Sequence, residues 1–176
     1  MKEITLEFLE KKDACQEGIK KVTEWGLLGL PADEFIISLM KHNKFDYANW
    51  LITALLKTKK QLVKYAVYAA KLVLDIHEKE YPNDNRPRKA IEATEAYLKR
   101  PSSKNKKKAL YIADDIPVCN SYVIYAAACA ASNAAYTIDV GENEAYAAAC
   151  NAADAALPAS RDTVKEKIIK YGLSLL

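Results

Sequence analysis

Glycine and proline are scarce in this chain, five and six among 176 residues. That scarcity, with 51% hydrophobic and 28% charged residues, excludes a disordered polypeptide and suits a soluble helical protein. Histidine occurs only at His42 and His77, too sparse for a Cys/His zinc site. The four cysteines, Cys15, Cys119, Cys129 and Cys150, form no CxxC pair. Three of them lie in Ala-rich sequence, where Cys behaves as a small apolar residue, so they read as reduced buried thiols of a cytosolic protein. An excess of one charge is missing too. With 26 basic and 23 acidic residues the net charge is +3, far from the basic excess of a dedicated DNA binder. GxGxxG, GxxxxGK[ST] and GxSxG are absent, and Ser, Cys and His fall in no order that suggests a nucleophile. The opening MKEITLEFLEKKD has charge every few residues and no apolar core of a signal peptide. The Ala-rich stretch 121–135, interrupted by Ser132 and Asn133, is too short and polar to span a bilayer. These features point to a cytoplasmic location.

What is present is helical. Alanine dominates the last third, and β-branched residues are scattered instead of alternating. Asp13 and Gln16 have capping-box spacing and predict a helix reaching Trp25. Pro31, followed by Asp33 and Glu34, opens the next, and Asp46 caps the apolar run YANWLITALLK. Leu62, Ala66, Ala69, Val73 and Ile76 form an a/d-type stripe along one long helix that Pro82 ends. A helix starting at Pro87 buries Ala90, Ile91, Thr94 and Leu98, and a short basic one runs from Asn105 to Asp115. YVIYAAACAASNAAY and EAYAAACNAADAAL read as loose copies, separated by Gly141. Their tyrosines fill the space that alanine leaves, hydroxyls reaching the edge of the core. Ser160 or Asp162 caps a last helix from Thr163 to Leu175. The expected fold is all-α: a bundle or array of about seven to nine helices in one domain, 1–176. Its N-terminal helices span 13–100 and its Ala/Tyr-rich helices 105–176.

Charge and stiffness concentrate in YPNDNRPRKAIEATEAYLKR, Tyr81 to Arg100. Asp84, Arg86, Arg88 and Glu92 crowd one helix corner and admit two readings. In one, arginine forks pair with Asp84, Glu92 or a neighbouring helix's carboxylate and clasp the corner. In the other, the helix start is an anion or partner site. His77 and Glu78 suggest HExxH, but position 81 is Tyr, so the zinc geometry fails and no metal or cofactor is expected. Asp114 and Asp115, being adjacent, do not converge on one substrate. Lys99, Arg100, Lys104, Lys106, Lys107 and Lys108 form a basic patch able to track phosphates, although a solvated charged loop is the commoner outcome.

Three segments carry a resemblance: ACQEGIKKVTEWG, YANWLITALL with KYAVYAAKLVLDI, and PNDNRPRKAIEATEAYL. Through them the chain resembles the helical "putative immunity protein" (Imm-5-like) family of bacteria, phages and prophages. The likeness covers most of residues 13 to 156, with the RPR segment its distinctive part. Family members often carry histidines among the tail alanines, whereas both histidines here precede residue 80, so no role for tail histidines carries over. The resemblance implies a protein that binds and neutralises a toxin-like effector, with no established enzymatic activity.

The expectation is a non-enzymatic binding protein of immunity or counter-defence type, whose partner is a toxin-like or host-defence protein. One alternative is a small-ligand binder sequestering an anionic metabolite or nucleotide through Arg86, Arg88 and the tyrosines. Another is a nucleic-acid accessory protein using the Lys99–Lys108 run, which the near-balanced charge disfavours. Pairing of the Ala/Tyr helices between chains leaves a homo-oligomer open.

Overall fold

The computed structural model describes residues 2–116, 122–156 and 158–176, with side chains in the ninth helix described from Tyr125 onward. Eleven helices run through these residues: α1 (Leu6–Lys11), α2 (Gln16–Glu24), α3 (Ala32–Lys41), α4 (Phe45–Leu55), α5 (Lys59–Lys71), α6 (Leu74–Glu80), α7 (Arg86–Lys99), α8 (Ser103–Asp114), α9 (Tyr122–Tyr136), α10 (Glu142–Ala155) and α11 (Pro158–Leu173). No strand occurs among them. A single antiparallel bridge, Glu3 to Pro31, pins the first residues beside the α2–α3 loop and buries Ile4 completely.

Alanine sets the centre. Ala127, Ala130, Ala131 and Ala134 of α9 and Ala145, Ala148, Ala149 and Ala152 of α10 are all buried, and these two helices make the most extensive contact in the protein. Small side chains shorten the distance at which two helices pack. Gly141 starts α10 at φ 96, a left-handed conformation that suits glycine and makes the reversal from α9 tight. Around this hairpin α5 packs on both helices, α4 on α10, and α6, α7 and α8 on α9. One continuous apolar cluster extends from Ile4 to Ile169.

The helix count exceeds the seven to nine expected, for two reasons. Residues 6–11 form α1, capped by the Thr5 hydroxyl. The helix expected over 59–80 also breaks at Leu72–Val73, where Val73 takes φ −124 and ψ 2. The break turns Leu74 and His77 into the interior, while Ile76 from the expected stripe is only half-buried.

Several expected caps belong elsewhere. Asp13 sits at φ 56, ending α1 in a left-handed residue. The N-cap of α2 is instead Cys15, whose Sγ accepts from the Gly18 amide at 3.3 Å, so this thiol is exposed and not buried. Capping-box chemistry appears three helices later, between Thr58 and Gln61 at the start of α5. Lys44 precedes α4, and Asp46 lies inside its first turn. α8 begins at Ser103 under the Ser102 cap, and α11 at Pro158, ahead of Ser160 and Asp162. Pro117, Cys119, Asn120, Ser121 and Leu157 lie outside the described residues.

Gly172 lets α11 seat on the core: a Cβ there would fall 2.7 Å from Ile52 Cδ1 and 2.8 Å from both Ile52 Cγ2 and Tyr65 Cε2. Ile52 and Tyr65 are fully buried and cannot step aside. Gly172→Ala is therefore expected to destabilise by about 1–3 kcal/mol through overpacking. A thermal melt should fall by several degrees, and an unchanged melt would show that α11 can slide.

Candidate functional site

The corner between α6 and α7 is built by one carboxylate. After α6, Tyr81-Pro82-Asn83 turn the chain, the Asp84 amide donating to the Tyr81 carbonyl at 2.9 Å. Asp84 Oδ1 then accepts from the Arg86 backbone amide at 3.1 Å, satisfying a free donor at the start of α7. The same carboxylate accepts from Arg86 Nε at 2.8 Å and Nη2 at 2.9 Å, a fork-to-fork pair. Arg86 Nη1 donates to the Asp115 carbonyl at 3.0 Å and ties the corner to the end of α8. Buried Pro87 stiffens the first turn of α7. Two residues after Arg86, Arg88 Nε and Nη2 each donate to Glu78 at 2.6 Å and lash α7 to α6. Both arginines of the RPR segment are thus engaged by carboxylates of the same chain. Glu92 stays exposed and adds only its field to Arg88.

These bonds shift the titrations. The Arg86 hydrogen bonds hold Asp84 below the usual carboxylate range, and Arg88 does the same for Glu78. Glu78 in turn raises Arg88. His77 lies beneath the clasp, fully shielded, with Nε2 3.7 Å from Asp84 Oδ2 and no hydrogen bond to either ring nitrogen. Burial lowers its pKa, against the pull of Asp84. His42 is remote from it and stacks on Trp25, ring centroids 4.0 Å apart.

The basic residues stand apart from this corner. Lys99 and Arg100 end α7, while Lys104, Lys106, Lys107 and Lys108 lie on α8. The link between the helices is fixed by Asn105 Nδ2, which donates to the Arg100 carbonyl at 2.8 Å. Lys106 pairs with Asp139. Asp114, near the other end of α8, accepts from the Tyr136 hydroxyl and pushes that phenol up to about 12.

Two features escaped the sequence reading. In α4 the buried Asn49 accepts from the Tyr65 hydroxyl at 2.9 Å and donates to the Tyr146 carbonyl at 3.1 Å, joining α4, α5 and α10. Its Nδ2 also lies 3.3 Å from Cys150 Sγ. Burial raises the Tyr65, Tyr146 and Cys150 pKa values. The amide of Asn49 inside the apolar run YANWLITALL was the available signal. The second feature is a cleft of about 410 Å³ among α1, α2, α3, α4 and α10, with walls including Phe35, Tyr47 and Trp50 and with Asp13, Asp46 and Tyr146 as polar lining. It joins residues far apart in sequence, so no local motif announces it.

Fold and corner together define an all-α protein whose α6–α7–α8 connections are clasped by arginine. More narrowly, the chain belongs to the Imm-5 like putative immunity protein family, whose model matches residues 53–170. The match takes in the whole corner, α5 to α10 and most of α11, and leaves α1 to α3 outside. No curated protein and no solved structure matches the chain. Among the described residues no helix is long and apolar enough to cross a membrane.

Asp84→Ala removes the acceptor for the α7 backbone and for two guanidinium donors, and should cost about 1–3 kcal/mol of stability. Arg88→Ala, at the more exposed pair, should shift the melt less. Normal melts combined with lost partner binding would mark the corner as a contact surface instead.

The pH response should show two windows. The folded His77 has a lowered pKa, so its contribution is complete above the unfolded value of about 6.5 and declines as the pH falls below it. Asp84, also lowered, contributes fully above about 3.9 and loses that contribution as the pH falls through its folded value. Urea unfolding of His77→Phe should be flatter than wild type between about pH 7 and 5; an identical slope would remove His77 as the cause.

Proposed function

We propose that this protein works by binding and not by catalysis. As a cytoplasmic immunity or counter-defence protein of bacterial or phage origin, it occludes a toxin-like or host-defence effector. Membership of the immunity family across residues 53–170 carries this reading. The corner supports it indirectly: Arg86 and Arg88 are held by Asp84 and Glu78, so they stiffen the helical frame that a partner would meet. A preorganised surface loses less entropy on association.

Occlusion is stoichiometric, which separates it from an enzymatic antidote. An effector captured from host lysate and titrated with the purified protein should lose activity in proportion, reaching zero at a fixed molar ratio. Complete neutralisation by a small fraction of an equivalent would mean turnover and overturn the proposal.

The cleft favours a second reading, a small-ligand binder, since its size is within the usual range for ligand pockets. Its polar lining includes the carboxylates Asp13 and Asp46, which suit an apolar or cationic ligand better than an anionic metabolite or nucleotide. A thermal-shift screen containing hydrophobic amines tests it, because a tight ligand raises the melting temperature.

A further inference from the structure

The charges of α8 run against its own dipole. A helix start carries partial positive charge and favours acids, and its end favours bases. In α8 this order is reversed: Lys104, Lys106, Lys107 and Lys108 occupy the first half, with no acid in the first turn. The helix closes on Asp114, with Asp115 as its C-cap and no base in the last turn. Lys99 and Arg100 add two more cations at the same end. Among the described residues Lys106 pairs with Asp139, while Lys99, Arg100, Lys104, Lys107 and Lys108 form no ion pair. The α8 dipole opposes Lys104 in the first turn, and mutual repulsion opposes the whole cluster, whereas Lys99 suits the end of α7.

The exposed face has a pattern as well. Lys104, Lys107, Lys108 and Tyr111 fall at i, i+3, i+4 and i+7, one side of the helix, and all four are exposed. Tyr111 is 78% exposed, the highest value among the described large hydrophobic side chains that reach the surface. The opposite side, Ala109 and Ala113, is buried where α8 meets α7 and α9. The fold therefore uses the alanines and leaves the Lys–Tyr face without an internal role. Local rules broken with no compensating contact are characteristic of functional surfaces.

We propose that this face of α8 is where the protein partner docks. Tyr111 is the anchor, Lys104, Lys107 and Lys108 are the cations on its N-terminal side, and the partner offers an apolar recess for the ring with an acidic surface on the lysine side. The proposal rests on the occlusion reading and supplies the partner's chemistry. A lone aromatic with cations along one side matches the anchor-and-rim anatomy of protein interfaces. Nucleic acid is the poorer occupant. A strand binder presents several aromatics for successive bases, and this face presents one.

The test uses the full-length protein, with a short peptide of alternating Glu pairs and Leu as probe. An oligonucleotide of equal charge serves as the control. Titrations followed by amide NMR should move α8 signals around Tyr111 with the peptide, and added salt should weaken the effect. Tyr111→Ala and the triple change Lys104→Glu, Lys107→Glu, Lys108→Glu should each weaken peptide binding several-fold. The triple variant should melt no lower than wild type, because Lys104→Glu puts an acid in the first turn and none of the three lysines forms an ion pair among the described residues. Tighter binding of the oligonucleotide, shifts spread evenly over the surface, or unchanged peptide affinity in the triple variant would each overturn the proposal. So would a lower melt of the triple variant, which would make the lysines structural. A captured effector separates the two levels: full neutralisation by the triple variant rejects this surface and leaves occlusion standing. Turnover by the wild type rejects occlusion itself.

Discussion

Because α9 and α10 meet through alanines, their backbones can approach closely, and the positions of the surrounding helices follow from that approach. A larger side chain at Ala130 or Ala148, both fully buried, would push the hairpin apart and displace α5 from both helices at once. Alanine contributes little apolar area per residue, so cohesion has to come from the neighbours. Phe35, Leu39, Leu51, Ile52, Val63 and Tyr65 supply it from α3, α4 and α5. Asn49 adds direction to this contact, since a buried amide must meet its partners in α5 and α10 in a defined geometry.

Electrostatics is handled in two opposite ways on one molecule. At the α6–α7 corner both arginines are matched: Arg86 by Asp84, Arg88 by Glu78, with the Asp115 carbonyl taking a further donor. Across the end of α7 and the first half of α8, five cations of the Lys99–Lys108 run lack an ion pair among the described residues, and Lys104 opposes the α8 dipole. The corner of mixed charge is thus closed upon itself, and the lysine run of one sign is the one left facing outward. What distinguishes these two regions is where the counter-charges sit.

Much of the fold was legible because its signals are local. Alanine content, the scarcity of Gly and Pro, and the 3.6-residue apolar spacing over 59–71 and 87–99 specify helices without reference to distant residues. Gly141 and Pro82 marked real boundaries for the same reason. The failures were non-local. Asp13 has the spacing of a cap, yet the chain needs it as the left-handed residue that closes α1, so Cys15 caps α2. The 59–80 helix breaks because Leu74 and His77, not a straight continuation of the stripe, fit the interior. At the corner the participants Asp84, Arg86 and Arg88 were visible, but Glu78 as the partner of Arg88 and His77 beneath them were not, since both pairings depend on how α6 returns against α7.

By itself the sequence determined an all-α chain, the family to which it belongs, and the residue types gathered at the RPR corner, since composition, period and motif are properties of short segments. Tertiary structure decided which charges are consumed and which remain outward. It also assembled the cleft from α1, α2, α3, α4 and α10, and joined Asn49 to Tyr65 and Tyr146. Those outcomes depend on distances between segments far apart in the chain, which are set only when the alanine hairpin closes and the other helices pack around it.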